Sequence, residues 1–262
     1  MNILDTIIAR KKIEVRERKR DKSISALENE PFFKNKTLSF GDFLLREDKT
    51  GIVAEFKRRS PSKGILNDIS TVTEVTTAYA KYGASAISVL TDEEFFGGSL
   101  NDLLESTINE VPLLRKDFII DEYQVIESKA FGAEVILLIA ACLGREEVKT
   151  LAALAKNIGL NVLLEIHNER ELAHICNDVD VVGVNNRDLK TFTVDINRSI
   201  ELGKQIGGNT IKISESGIDN ISSIELLREH GFKGFLIGEK FMKEKDPGLA
   251  FQNFAGKLKI ER

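Results

Sequence analysis

Glu55 and Lys57 stand two residues apart at the end of the run Ile52-Val53-Ala54-Glu55-Phe56-Lys57, and the chain then breaks at Ser60-Pro61-Ser62 and Gly64. Ile52 to Ala54 are apolar and read as a strand, whereas Ser, Pro and Gly end regular structure. Alternate side chains of a strand share a face, so Val53, Glu55 and Lys57 point the same way. Burying an opposite-charge pair beside an apolar strand is costly unless the charges are paired or used. Taken alone, the pair fits a solvated ion pair at a strand end as well as it fits a reactive site.

The pattern recurs along the chain. Pro112-Leu113-Leu114-Arg115-Lys116 ends in Lys116, and Val162-Leu163-Leu164-Glu165 ends in Glu165. Val181-Val182-Gly183-Val184-Asn185-Asn186-Arg187 ends in Asn185 and Arg187, which share a face. Ile211-Lys212-Ile213-Ser214-Glu215 ends in Glu215, and Gly234-Phe235-Leu236-Ile237-Gly238 ends in a bare glycine. Each reads as a largely buried strand with polar groups or glycine at its C-terminal end; Lys212 is the one charge inside such a run. If those ends converge, Lys57, Lys116 and Arg187 meet Glu55, Glu165 and Glu215. Such groups in one low-dielectric pocket shift each other's pKa. A lysine there can act as general acid or Schiff-base nucleophile, and a facing carboxylate as base. A purely structural ion-pair network at a rim is the competing reading.

Glycines point to an anion site. Glu215-Ser216-Gly217-Ile218-Asp219 and Gly238 each lead into a helical stretch. Glycine lets backbone N–H groups approach an anion closely. In barrels, the loops after the last two strands commonly cradle phosphate. Ser60, with Lys63 and Gly64, can add to the cradle from the first loop. Phe95-Phe96-Gly97-Gly98-Ser99 and Phe118 offer an apolar wall for a flat ring, although packing on the core explains each phenylalanine taken singly.

These residues need elements to hold them. Residues 3–21 read as a helix with Leu4, Ile7, Ile8 and Val15 on one side, and its many Lys and Arg residues as a solvated outer face. After residue 50 apolar runs alternate with helical periodicity. Strands are predicted at 51–57, 85–90 and 134–138, with others ending at Lys116, Glu165, near Asn185, near Ser214 and at Ile237. Helices are predicted at 71–82, 100–109, 121–131, 145–157, 168–176, 195–206, 219–229 and within 240–258. That is eight strand–helix units of roughly 25 residues each, about what a βα unit needs. A doubly wound sheet usually has fewer strands and a Gly-rich first turn, and no GxGxxG follows the first strand. The expectation is therefore α/β: a single-domain (β/α)8 TIM barrel over 1–262, with 1–50 as an N-terminal helical extension and 51–262 as the barrel proper. On that view deletion of residues 1–22 should leave the barrel folded.

Composition excludes several other classes. The chain has 262 residues, 42 % apolar and 30 % charged, the balance of a globular protein. A net charge of −4 argues against a general nucleic-acid binder. Cys142 and Cys176 form no CxxC motif, and His167, His174 and His230 have no metal-ligand spacing, so no metal is expected. No apolar run is long enough to span a membrane, and Met1 to Ile8 lacks the basic and apolar regions of a signal peptide. The expected location is cytoplasmic.

Read together, Glu55-Phe56-Lys57-Arg58-Arg59-Ser60-Pro61-Ser62, Ser88-Val89-Leu90-Thr91 with Phe95-Phe96-Gly97-Gly98-Ser99, Arg115-Lys116-Asp117-Phe118, Leu164-Glu165-Ile166, Asn185-Asn186-Arg187-Asp188-Leu189 and Ser214-Glu215-Ser216-Gly217-Ile218 resemble the indole-3-glycerol-phosphate synthase family of tryptophan biosynthesis. The resemblance runs in order along nearly the whole chain, including a first helix that begins at Ile3-Leu4. It implies ring closure of 1-(2-carboxyphenylamino)-1-deoxyribulose 5-phosphate to indole-3-glycerol phosphate, with loss of carbon dioxide and water and no cofactor. It implies that Lys116 is the general acid and that Glu165 takes or relays a proton. Lys57 would hold the substrate carboxylate. Glu55, Asn185 and Glu215 would position these groups, with Arg187 as a charged partner of the acidic residues. Ser60, Ser216, Gly217 and Gly238 would face the phosphate. Where some family members have Ser after Gly238, this chain has Glu239, whose side chain is expected to turn away from the phosphate. The resemblance also leaves room for a weak contact with other enzymes of that pathway. A phosphosugar isomerase of the same fold would need a Cys and Asp acid–base pair at strand ends, which Cys142 and Cys176 do not supply. A non-catalytic metabolite binder would not need opposed acids and bases.

Overall fold

The computed structural model describes residues 3–188 and 191–258. Among them, eight parallel strands close into a barrel: β1 (Ile52–Phe56), β2 (Ala86–Leu90), β3 (Leu113–Lys116), β4 (Val135–Ile139), β5 (Asn161–Ile166), β6 (Val181–Asn185), β7 (Ile211–Glu215) and β8 (Gly234–Ile237). Each strand pairs with the next in sequence, and β8 returns to β1 in the register Ile52↔Phe235, Val53↔Leu236. The chain is thus a (β/α)8 TIM barrel.

Alternation along the strands divides the apolar residues. Val53, Leu114, Val135, Leu137, Leu163, Val181, Ile213 and Leu236 pack together as the barrel interior. Phe40 and Leu44, from the short helix Phe40–Leu45, join this cluster and close one end. Ile52, Ala54, Ile87, Ile136, Val182 and Phe235 belong to the larger cluster between strands and helices. Lys212 falls on this outer side, where its Nζ donates to Gly203 O at 2.9 Å and lies 5.4 Å from the Phe232 ring centroid.

Most helices fall where periodicity places them, as with Val72–Lys81, Glu122–Ala130, Arg145–Asn157 and Ile221–Glu229. The stretch predicted as a helix at 168–176 is instead a 3-10 helix, Glu169–His174. There the Glu171 carboxylate accepts from the His167 backbone N–H at 2.6 Å, which draws the turn back onto the end of β5. The last predicted helix is two, Glu239–Met242 and Pro247–Ala255, divided before Pro247, which Asp246 caps. The first loop carries a hairpin of Arg59–Ser60 with Gly64–Ile65, anchored by Arg58, whose guanidinium donates to both Asp102 carboxylate oxygens at 2.6 and 2.7 Å.

The first helix, α1 (Ile3–Asp21), exposes Arg10, Lys12, Arg16, Lys19 and Arg20 as its basic composition predicts, and departs from that face at Lys11. Ile7, Lys11 and Val15 form a buried stripe four residues apart. Lys11 Nζ lies 2.8 Å from Glu14, 2.9 Å from Asp92 and 2.9 Å from Asp117. Asp117 also accepts from Thr91 Oγ1 at 2.7 Å and from Arg115 at 3.0 Å. α1 is thus tied to the barrel through buried charge: without Lys11, Asp92 would lose its cation, while Asp117 would keep Arg115 and Thr91. No described helix is long and apolar enough to cross a membrane.

Candidate active site

The inward-facing rows of the strands continue past the apolar interior into polar residues. Glu55 lies two beyond Val53, Lys116 two beyond Leu114, Glu165 two beyond Leu163 and Glu215 two beyond Ile213. They emerge with Lys57, Asn185 and Arg187 at the C-terminal mouth of the barrel, around a cavity of about 450 Å3. Ser60, Ser216, Gly217 and Gly238 also line it, as do Phe96 and Phe118. Phe95 does not: Glu93–Phe96 is a one-turn helix, where consecutive side chains diverge by about 100°, so only Phe96 faces the mouth. Phe96 packs on Phe118 with ring centroids 6.1 Å apart. Leu189, which follows Asp188 in the motif after β6, lies outside the described residues.

Lys116 is the centre of the charge arrangement. Its Nζ donates to Glu165 Oε2 at 2.7 Å and to Glu215 Oε2 at 3.1 Å. Burial pulls the ammonium down, but Glu165, Glu215 and Glu55 outweigh it and hold the lysine above its ordinary range. The two carboxylates separate. Burial raises Glu165, yet Lys116 and His167 win and keep it well below the usual carboxylate range. Burial and the neighbouring Glu165 charge push Glu215 up to about 7 despite Lys116. Its Oε1 is buried without a hydrogen-bond partner. Glu165 Oε1 accepts from Asn185 Nδ2 at 3.1 Å, and Glu55 Oε1 pairs with Lys57 Nζ at 2.7 Å.

Glycines make room for these carboxylates. A Cβ at Gly183 would lie 2.2 Å from Glu215 Oε1, and one at Gly238 would lie 2.6 Å from Glu55 Oε1. Gly238 therefore accommodates Glu55 as well as opening the mouth near β8. Ser216 and Gly217 both adopt left-handed backbone, φ 69° and 75°. The turn is fixed from beneath by Asn186, whose Nδ2 donates to Ser216 O at 3.0 Å and to Ser214 Oγ at 2.9 Å.

Several residues reach the site that the strand-end pattern did not place there. Ile3, Leu4 and Ile7 of α1 line the mouth, and Lys63, Lys240 and Lys243 add positive charge to it. Glu239 does not turn away. Its carboxylate lies 3.5 Å from Arg187 and 3.7 Å from Lys63, because those two cations draw it into the mouth. His167 sits behind Glu165, its Nε2 3.2 Å from Glu165 Oε1. Its place two beyond Glu165, on the same face, is the one feature of the sequence that could have found it. Among the described residues no group of three His, Cys, Asp or Glu side chains is placed to hold a metal ion.

Relatives of known sequence match along the whole of this architecture. The family model for indole-3-glycerol phosphate synthase matches residues 4–254. The chain is 46 % identical over 254 residues to indole-3-glycerol phosphate synthase of Bacteroides thetaiotaomicron, covering 97 % of each chain. It is 43 % identical over 245 residues to that of Thermoanaerobacter pseudethanolicus, covering 92 % of each. Among solved structures, a tryptophan synthase alpha-subunit from Pyrococcus furiosus superposes with TM-score 0.62 at 12 % identity, over 80 % of this chain and 98 % of that one. A 3-hexulose-6-phosphate synthase superposes with TM-score 0.60 at 12 % identity, over 78 % and 98 %. At such identities the structural likeness establishes the barrel, while the long sequence matches establish descent. This chain belongs to the indole-3-glycerol phosphate synthase family.

Proposed function

We propose that the barrel mouth closes the indole ring of indole-3-glycerol phosphate from 1-(2-carboxyphenylamino)-1-deoxyribulose 5-phosphate, and that Lys116 and Glu165 carry the proton transfers. The aromatic carbon bearing the carboxylate attacks the ketone carbon of the ribulose chain, and the ketone oxygen takes a proton. Carbon dioxide then leaves, its bonding electrons restoring the aromatic ring. The new hydroxyl departs as water with a second proton, and the adjacent ribulose carbon gives one back as the indole double bond forms. Each turnover therefore takes up one proton, and nothing is oxidised or reduced, so no redox cofactor is required.

The observation that carries this reading is the Lys116 ammonium held between Glu165 and Glu215 at the end of the barrel interior. An acid aimed at a developing oxyanion acts most strongly where water is partly excluded. Lys116 donates to the ketone oxygen. Glu165, kept ionised, steadies the positive nitrogen that forms and takes the proton from carbon. Glu215, near its midpoint at neutral pH, is suited to return a proton to Lys116. Lys57, paired with Glu55, has its free donors available for the substrate carboxylate. Asn185 orients Glu165. Phe96 and Phe118 provide the apolar wall for the anthranilate ring. Ser60, Ser216, Gly217 and Gly238 receive the phosphate, with Arg187 beside them. A cytoplasmic location belongs to the same proposal, since a phosphorylated substrate does not cross a bilayer unaided.

Purified protein incubated with the carboxyphenylamino substrate should produce indole fluorescence and one equivalent of carbon dioxide. Lys116→Met, run beside it, should not. Absence of product from the folded wild-type protein would refute the assignment.

A further inference from the structure

We propose that His167 is a positioning residue for the reaction: as an imidazolium it fixes the Glu165 carboxylate from the side opposite Lys116, while Glu171 holds the ring in place. This rests on the role proposed above for Glu165. His167 is buried, 8 % exposed, and follows the end of β5 on the face that carries Glu165. Both ring nitrogens lie close to carboxylates, Nε2 to Glu165 Oε1 (3.2 Å) and Nδ1 to Glu171 Oε2 (3.5 Å). Neither approach has hydrogen-bond geometry, so the contacts act through charge. A neutral ring carries a single N–H and would place a lone pair against one carboxylate. With a carboxylate beside each nitrogen, only the doubly protonated ring carries the positive charge that offsets both.

The surroundings agree with this state. Glu165 from β5 and Glu171 from the 3-10 helix that follows stand beside the ring, and the Cys142 thiol beyond β4 feels the same two carboxylates. Burial, Glu165 and Glu171 together push that thiol up to about 12, so it stays neutral. Burial lowers the imidazole, but the two carboxylates outweigh it and bring His167 to about 9. Glu165 therefore has a cation at each oxygen: Lys116 at Oε2, and His167 at Oε1, which Asn185 also contacts. When Lys116 gives its proton away during turnover, Glu165 loses the charge on one side. The imidazolium keeps it ionised through that step, so that it does not take back the proton just delivered.

Three measurements test the proposal. The first needs no turnover. His167, assigned by its loss in His167→Gln among only three histidines, should give ring nitrogen NMR shifts of an imidazolium at pH 7 and titrate near pH 9. A ring that is neutral at pH 7 overturns the proposal. The second is the pH profile of His167→Gln. Its kcat should fall roughly tenfold with KM within about twofold, and the acid limb of kcat should move to higher pH, since Glu165 loses a favourable charge. Unchanged kcat and acid limb overturn the proposal. The third is Glu171→Gln, which retains shape but removes the charge that favours the imidazolium. The loss of kcat on the alkaline side should begin about one pH unit lower than in wild type, an effect that loss of packing alone does not produce. An unmoved alkaline limb overturns the role of Glu171. If wild-type protein makes no indole product, the function proposed above fails while the NMR titration still decides the charge of His167.

Discussion

Gly183→Ala tests how tightly the two-carboxylate cradle of Lys116 is built. Gly183 lies on the inner row of β6, and a methyl there would stand 2.2 Å from Glu215 Oε1, 3.2 Å from its Cδ and 3.3 Å from Leu163 Cδ1. The backbone of β6 is hydrogen-bonded on both sides and does not yield, so the carboxylate must. Restoring ordinary van der Waals separation moves Oε1 by about 1 Å and turns Oε2 away from Lys116, whose contact is already 3.1 Å. A misplacement of about 1 Å in a catalytic group costs on the order of a hundredfold in rate. We expect kcat to fall by about that factor with KM changed less. Overpacking should cost about 1–3 kcal/mol, and Tm should fall by several degrees. Gly207→Ala, where an added methyl meets nothing within 4 Å, is the control for the loss of a glycine as such. Indole fluorescence gives the rates and calorimetry the Tm. Wild-type kcat in Gly183→Ala would show that the position of Glu215 does not matter. If the variant fails to fold, Glu215→Gln, which keeps the side-chain volume, asks the same of the carboxylate, and a wild-type kcat there would equally remove Glu215 from the chemistry.

Other outcomes follow from the same geometry. Lys116→Met and Glu165→Gln should each lower kcat on the order of a hundredfold or more, with KM altered much less, because other groups hold the phosphate and the carboxylate; a near-normal kcat removes that residue from the chemistry. Lys11→Met should lower stability by roughly 3–5 kcal/mol, since it leaves Asp92 buried without its cation and Asp117 with Arg115 alone, and Tm by about 10 °C; an unchanged melting curve would mean water already screens those carboxylates. His167 has a raised pKa in the folded protein, so its contribution to stability is complete below about pH 6.5 and is lost as pH rises through about 9. Urea titrations should therefore show wild type weakening by a few kcal/mol across that window and His167→Gln much less.

The strand ends were readable because the barrel imposes one rule on all of them: an apolar inner row, then a polar residue two positions on. Glu55, Lys116, Glu165 and Glu215 each obey it, and sequence spacing alone put them at a common mouth. What spacing cannot supply is the partner across the barrel. Gly183 stands unmarked within the run that ends at Asn185, and only the packed structure shows it as the space that Glu215 occupies. Lys11 was hidden by its type, since a lysine on a basic helix reads as solvated until three carboxylates, two of them from distant segments, are brought to it. His167 carried no motif, being set by a tight turn that lets Glu171 reach back to it. The phenylalanine pair was half legible: the apolar wall was expected, but which ring faces the mouth depends on one turn of helix.

Barrel closure also has a cost in time. The outer edge of β1 pairs with β8, through Ile52↔Phe235 and Val53↔Leu236, and with nothing else. During synthesis that edge waits for a partner made about 180 residues later, which at about 5–20 residues per second is roughly 10–35 s. For that time Ile52, Val53 and Ala54 form an apolar strand with one row of backbone N–H and C=O groups open to pairing with another nascent chain. The strand that supplies Glu55 is thus the one longest exposed to aggregation on the ribosome, and conditions that slow elongation between β1 and β8 should reduce the yield of native protein before they affect its activity per molecule.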